Sequence, residues 1–120
     1  MHLINVLDQW NALSDEQIVR QILEGQTGLF EVLMRRHNVR IFRAARAIVR
    51  DDREAEDVMQ QAYVNAYANL RQFGERAAFS TWLTRIAVNE AIARARRRGQ
   101  YQQLDGEDDA AGDVFMDQNE

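Results

Sequence analysis

Apolar side chains recur every three or four positions along most of this chain, which is the spacing that places them on one face of an α-helix. The longest series predicts an amphipathic helix over about residues 28–50, with Thr27 as its N-cap and arginines over much of its outer surface. The stripe expected to face the core consists of Phe30, Leu33, Met34, His37, Ile41, Ala44, Ala45 and Ile48. We interpret His37 as a satisfied core residue rather than a metal ligand, because His2 offers it no plausible partner.

A shorter helix is predicted before the long one. Ser14 and Gln17 have the spacing of a capping box, in which each residue's side chain bonds the other's backbone amide. They start a helix at about residues 15–24, which Gly25 ends. Residues 1–13 are apolar but irregular, and we treat them as an N-terminal extension that could form a short docked helix.

Two more helices follow the long one. Asp51-Asp52 end the long helix and begin the third. Carboxylates at the start of a helix are favoured there by the positive end of the helix dipole. Its buried stripe comprises Ala55, Val58, Met59, Ala62, Ala66, Leu70 and Phe73. The fourth helix, at about residues 78–98, presents Phe79, Trp82, Leu83 and Ile86 on one face. We therefore predict an all-α fold, a compact bundle of about four helices.

One polar residue interrupts the apolar face of the fourth helix. The steps from Trp82 through Ile86 and Asn89 to Ala93 are four, three and four, so Asn89 is expected on that face. A buried amide left unpaired costs about 1–3 kcal/mol. Asn89 therefore needs either an internal partner, such as a neighbouring helix carbonyl, or a ligand at the edge of the face.

Composition narrows the possible functions. The 120 residues suit one domain, and the absence of cysteine excludes disulfides, thiolate metal sites and a cysteine nucleophile. No apolar run approaches the length of a membrane span. The sequence also lacks a phosphate-binding glycine loop, a nucleophile paired with histidine and a metalloprotease motif. We therefore expect no catalytic residues, no cofactor and no bound metal, and a cytoplasmic location.

Charge is distributed unevenly along the chain. Residues 1–34 carry a net charge of -4, residues 35–100 carry +7, and residues 101–120 carry -7. A basic middle indicates either a polyanionic partner or a solvated surface. Residues 100–120 are polar and acidic, so we predict a disordered linker or tail after a folded domain at 14–99.

The stretch from Phe73 to Arg98 carries the most distinctive chemistry. Aromatic rings lie beside arginines, a combination that suits single-stranded nucleic acid because bases stack and phosphates need cations. Phe79 and Trp82 could instead belong wholly to the core, and arginines near a helix C-terminus also suit the helix dipole.

The same stretch resembles region 2 of bacterial sigma factors, most closely the extracytoplasmic-function class. The resemblance rests on Phe73, a short glycine-containing loop, Phe79-Ser80-Thr81-Trp82-Leu83, Arg85-Ile86-Ala87 and Asn89, in that order. Upstream, the run from Asp51 to Tyr63 resembles that family's second region 2 helix, and Leu29 to Arg50 resembles its first. The resemblance covers about residues 14–100.

This resemblance implies a fold of the sigma region 2 type and a role in transcription initiation. The domain would dock on core RNA polymerase and would recognise and melt the promoter -10 element. It implies docking on the clamp helices of the largest subunit through Asp57, Gln60 and Gln61. The family usually has glutamate where this chain has Gln61.

By the same resemblance, promoter DNA would meet the fourth helix and the loop before it. The loop from Phe73 through Arg76 to Phe79 would hold a flipped base, flanked or supported by Ser80, Trp82, Arg85 and Asn89. The phosphates would be contacted by Arg94, Arg96, Arg97 and Arg98.

Two alternatives stay open. The chain could be a sigma-like decoy that binds an anti-sigma protein without directing transcription, and an anti-sigma partner is expected in either case. It could also be a plain helical interaction module whose arginines are only solvated.

Overall fold

The structure is a computed structural model that describes residues 10–103, with side chains described through residue 99. This part of the chain forms four α-helices and no strand. The helices are α1 (Asp15–Leu23), α2 (Phe30–Val49), α3 (Asp52–Ala68) and α4 (Phe79–Gln103), with 3-10 turns at Thr27–Leu29 and Leu70–Gln72. The prediction of an all-α bundle of about four helices is confirmed. None of these helices combines the length and apolar character needed to cross a bilayer.

Local signals set the ends of α1. The Ser14 hydroxyl accepts a hydrogen bond from the Gln17 backbone amide at 3.1 Å, and the Gln17 side chain accepts one from the Ser14 amide at 2.8 Å. This is the predicted capping box. After the helix, Gly25 adopts a φ of 121°, which a residue without a Cβ tolerates best.

The start of the long helix differs from the prediction. Thr27 opens a 3-10 turn instead of capping α2, and Gln26 before it makes no side-chain capping bond. Helix α2 begins only at Phe30 and ends at Val49; Arg50 follows in a left-handed conformation, with a φ of 64°. Asp51 then caps α3, because its carboxylate accepts a hydrogen bond from the Glu54 amide at 2.9 Å.

Helices α2, α3 and α4 pack on one another, and α1 lies against α2. The main core is built from α1, α2, α3 and α4 together, and Phe79 is the largest of its fully buried side chains. A second cluster further along the three long helices contains mostly small side chains: Ala45, Val49, Ala55, Val58 and Ala91. These small residues allow the helices to approach each other closely.

A polar network fixes α1 to α2. The Asp15 carboxylate lies 2.9 Å from Arg36 Nη1 and 2.9 Å from His37 Nε2. Arg36 Nη2 also donates to the backbone carbonyls of Trp10 and Leu13, at 3.0 and 2.8 Å. The interpretation of His37 as a satisfied, mostly buried residue is therefore confirmed.

Helix α4 continues to Gln103, past the end predicted at residue 98. Gly99 does not stop it, because a glycine inside a helix costs only about 1 kcal/mol relative to alanine. Residues 100–103, which we assigned to the tail, are therefore helical. The remainder of the predicted tail, 104–120, and residues 1–9 of the predicted N-terminal extension lie outside the described residues.

Candidate nucleic-acid interface

A short exposed loop, residues 74–78, connects the second 3-10 turn to α4. Buried phenylalanines stand at both ends of it: Phe73 is 7% exposed and Phe79 is fully buried. Their rings meet edge to face with centroids 5.4 Å apart. The 74–78 loop is therefore held by two anchors in the core, and its own residues all face solvent.

The burial of Phe73 and Phe79 determines which aromatic side chains can contact a base. The rings of Phe73 and Phe79 cannot stack on a base unless the core opens, so the structure places them as supports of the loop. Trp82 packs against both rings, at 5.3 and 5.7 Å, but remains partly exposed. Of the three predicted aromatic contacts, Trp82 has the position that suits direct contact with a base.

Two clefts adjoin Trp82. The first, which we name the loop cleft, has a volume of about 410 Å³ and is lined by Gln72, Phe73, Gly74, Arg76, Ala77, Trp82 and Arg85. The second, the amide cleft, has a volume of about 370 Å³ and is lined by Asn65, Asn69, Gln72, Trp82, Ile86, Asn89 and Glu90. Because Gln72 and Trp82 line both, the two clefts adjoin each other along the α3–α4 surface.

Asn89 is exposed, so the prediction that it lies on the buried face is wrong. The buried line of α4 runs through Phe79, Leu83, Ala87 and Ala91 at steps of four. The line through Trp82, Ile86 and Asn89 lies beside it, at the margin that faces α3 and the amide cleft. Asn89 consequently needs no internal partner, and its amide is available to a ligand.

From the sequence we assigned no function to the amide groups at the C-terminal end of α3, Asn65 and the C-cap residue Asn69. Asn65 and Asn69 are four residues apart and therefore share a helix face, which is a signal that the sequence contains. Local bonds order them: Asn69 Nδ2 donates to the Asn65 carbonyl at 2.9 Å, and Gln61 Nε2 donates to Asn65 Oδ1 at 3.0 Å. What the sequence could not show is that Gln72 and α4 would complete the cleft.

The basic end of α4 is divided between internal and exposed roles. Arg94 pairs with Glu90 on its own helix at 3.1 Å and lies 3.9 Å from Asp57 of α3. Arg98 pairs with Glu54 and donates to the Val49 carbonyl at 3.4 Å. Both arginines therefore connect α4 to the neighbouring helices.

The remaining predicted DNA contacts occupy different environments. Arg76, Arg85 and Arg97 are exposed and form no ion pair with any residue in the described part of the chain. Arg96 is partly buried. Ser80 is also partly buried, and its carbonyl accepts a hydrogen bond from the Thr84 hydroxyl at 2.6 Å. The exposed arginines nearest the clefts are thus Arg76 and Arg85, which line the loop cleft.

The residues predicted to contact polymerase lie on the outer side of α3. Asp57 and Gln60 are exposed, whereas Gln61 is partly buried and bonded to Asn65. One turn further, Val64 is 60% exposed and Tyr67 is 46% exposed. From the sequence we named the polar residues of this face and did not include Val64 or Tyr67. We call the face formed by Asp57, Gln60, Gln61, Val64 and Tyr67 the α3 outer face.

Comparison with known proteins gives consistent results. Residues 33–101 match the family described as Sigma-70 region 2. The chain is 38% identical over 87 residues to the RNA polymerase sigma-H factor of Pseudomonas aeruginosa, covering 69% of this chain and 45% of that protein. It is 33% identical over 89 residues to the ECF RNA polymerase sigma factor SigW of Bacillus subtilis, covering 74% of this chain and 48% of that protein.

A third relative is the ECF RNA polymerase sigma-E factor of Escherichia coli, 34% identical over 89 residues, with 71% of this chain and 46% of that protein covered. The chain spans about half the length of these curated relatives. The match to the family covers more than half of the chain and includes most of α2, all of α3 and most of α4. This chain therefore belongs to the sigma-70 region 2 family, within the extracytoplasmic-function class of sigma factors.

Proposed function

We propose that this chain is the promoter-reading domain of a cytoplasmic transcription initiation factor. It docks on core RNA polymerase through the α3 outer face and recognises and melts the promoter -10 element through the two clefts beside Trp82. The observation that carries the proposal is the pair of adjoining clefts, one bordered by exposed arginines and the other by amides.

The chemistry of these clefts suits a base that has left the stack. Flipping a base out of a duplex costs a few kcal/mol, which protein contacts must offset. Side-chain amides can hydrogen-bond the Watson–Crick edge of an unpaired base, and an aromatic ring can stack on its face. Asn65, Asn69 and Asn89 supply the amides, and Trp82 supplies the ring.

The backbone of the melted strand needs cations near the same place. Arg76 and Arg85 border the loop cleft, and Arg97 lies further along α4; all three are exposed. Each phosphate neutralised by an arginine releases counterions, so affinity for DNA should fall as salt rises. Arg94 and Arg98 would contribute to the surface potential while remaining paired to acidic neighbours.

Docking on the polymerase is assigned to the α3 outer face. The relatives are named as RNA polymerase sigma factors, and the α3 outer face combines a carboxylate, two amides and an exposed apolar patch. Gln61 supplies an amide where the family usually has a charge. Tyr67 supplies an aromatic side chain on the same face, a residue type enriched in interface cores, and Val64 adds exposed apolar area one turn away.

A matched pair of valines tests the docking proposal. Val64 on α3 and Val39 on α2 are 60% and 63% exposed, so aspartate at either position should have little effect on folding. We expect Val64→Asp to weaken binding to a purified clamp-helix fragment of the polymerase at least about tenfold, because a charge would be buried in the contact. Val39→Asp should leave binding unchanged. Equal loss in both variants, or no binding by the folded native chain, would refute docking through α3.

The double variant Asp57→Ala, Gln60→Ala provides a second test of the same face. Asp57 lies 3.9 Å from Arg94, so its removal also alters the basic surface of α4. The Gln60→Ala single variant isolates the contribution of the amide, since the structure shows Gln60 exposed.

The second candidate is a sigma-like decoy that binds an anti-sigma protein and no longer directs polymerase. Gln61 favours it, because its amide is engaged with Asn65 and adds no charge to the α3 outer face. The two functions differ in their dependence on core polymerase: a working sigma domain gains promoter affinity when the core is added, and a decoy does not.

A further inference from the structure

Helix α1 contacts the 74–78 loop through an ion pair between Arg20 and Glu75. Arg20 Nη2 lies 2.8 Å from Glu75 Oε1, and Arg20 Nε lies 3.2 Å from Glu75 Oε2. This two-bond geometry fixes the orientation of both groups, which a single contact would not do. The hydrogen bond and the negative charge of Glu75 raise the pKa of Arg20 above its ordinary value.

The same face of α1 also holds the end of the loop. The backbone amide of Phe79, the first residue of α4, donates to Glu16 Oε2 at 3.1 Å. Amides in the first turn of a helix have no partner within the helix, and a carboxylate there suits the helix dipole. Glu16 and Arg20 are four residues apart on α1, so one helix face contacts the loop at Glu75 and at Phe79.

α1 is itself a fixed support. Ile18, Val19 and Ile22 are buried in the core, and Asp15 ties its first turn to Arg36 and His37 of α2. The helix lies outside residues 33–101, the part that matches the Sigma-70 region 2 family. The loop is therefore shaped partly by a segment that precedes the matched region.

The contact with Arg20 has a consequence for the loop cleft. Gly74 and Arg76 line the cleft, whereas Glu75 between them does not. Glu75 adopts a φ of 61°, a left-handed conformation that is unusual for a residue with a side chain. In this conformation its carboxylate pairs with Arg20 and does not line the cleft, where it would repel phosphate.

We propose that Glu16 and Arg20 are positioning residues that hold the 74–78 loop in the shape required to receive the melted -10 strand. Neither residue touches DNA in this account: Arg20 acts through Glu75, and Glu16 acts through the amide of Phe79. The inference rests on the proposed function, because it assigns the loop cleft to a nucleic-acid strand.

The test compares Arg20→Gln with Arg35→Gln in the full chain. Arg35 forms a similarly exposed ion pair with Glu31 at 2.9 Å, but that pair lies within α2 and touches no loop residue. We would measure hydrogen exchange of the Phe79 amide, which is bonded to Glu16, without DNA, together with the thermal midpoint and the affinity for single-stranded DNA. The DNA is a single-stranded oligonucleotide chosen beforehand: a pool with a randomised central segment is enriched for the sequences that bind the native chain.

Arg20→Gln should speed exchange of the Phe79 amide, because the loop before it loses its contact with α1, and should weaken DNA binding about two- to fivefold, the range expected for an exposed ion pair. The thermal midpoint should change no more than it does in Arg35→Gln. The exchanged pair Arg20→Glu, Glu75→Arg should restore slow exchange. Glu16→Ala should speed exchange at Phe79, and Glu16→Gln should not, because glutamine keeps an acceptor oxygen.

Unchanged exchange of the Phe79 amide in Arg20→Gln would overturn the proposal, and so would faster exchange with undiminished DNA affinity. Failure of the native chain to bind any sequence from the pool would instead refute the DNA-reading function. In that case the exchange measurement would still show whether α1 orders the loop.

Discussion

Replacing Asn89 with alanine separates a role in binding from a role in folding. Asn89 is exposed, lines the amide cleft and has no hydrogen bond within the described part of the chain. Surface substitutions of this kind change the free energy of unfolding by less than about 0.5 kcal/mol. If the residue were buried with an internal partner, as its spacing in the sequence suggests, the loss would be about 1–3 kcal/mol.

The effect on DNA binding should be larger than the effect on stability. An amide that reads a base edge forms up to two hydrogen bonds, each contributing about 0.5–1.5 kcal/mol. Their loss corresponds to a five- to 150-fold weaker affinity, to be measured by fluorescence anisotropy with a selected single-stranded oligonucleotide. Asn11→Ala is the control, because Asn11 is also exposed but lines neither cleft.

Two results would refute this reasoning. Urea denaturation showing that Asn89→Ala lowers stability by more than about 1 kcal/mol would mean that the amide has a structural partner. Native-like stability together with native affinity would mean that the amide cleft does not contact the base.

Two further predictions concern the fold. Phe79→Ala should lower the free energy of unfolding by about 3–5 kcal/mol, because it empties the largest fully buried position; a loss below about 1 kcal/mol in urea denaturation would contradict the core described here. Burial raises the pKa of Tyr63 to about 12, so the folded chain keeps this proton when the unfolded chain loses it. Stability should therefore fall between about pH 10 and 12 by at most about 2–3 kcal/mol, and Tyr63→Phe should remove that part of the pH dependence.

The helices were predictable because their determinants are local. The Ser14 capping box, the start of α3 at Asp51-Asp52 and most of the apolar stripe of α2 depend on residues a few positions apart, and each appears in the structure. The start of α2 was less predictable. Thr27 opens a 3-10 turn, and the backbone geometry of such a turn differs only slightly from that of the first turn of an α-helix.

The site was predictable only in part, because it depends on distant residues. The loop and the start of α4 were located from their aromatic and basic residues, and the burial of Phe73 was predicted from the apolar stripe before it. That Asn65, Asn69 and Gln72 complete a cleft beside Trp82 depends on packing that the sequence does not reveal. Asn89 shows the same limit. Its spacing from Trp82 fits the apolar stripe, but the buried residues of α4 are those of the neighbouring line through Leu83 and Ala87. The contact between Arg20 and Glu75 joins residues 55 positions apart, which no local pattern could indicate.

The most direct test of a -10-reading domain is the fluorescence of Trp82. The sequence contains two tryptophans, so Trp10→Phe leaves Trp82 as the single reporter. A selected single-stranded oligonucleotide, added at low salt to favour binding, should quench this emission in step with the anisotropy isotherm, because a base stacks on the ring. Saturable binding by anisotropy with unchanged Trp82 emission would contradict the account, since the strand would then bind away from the clefts.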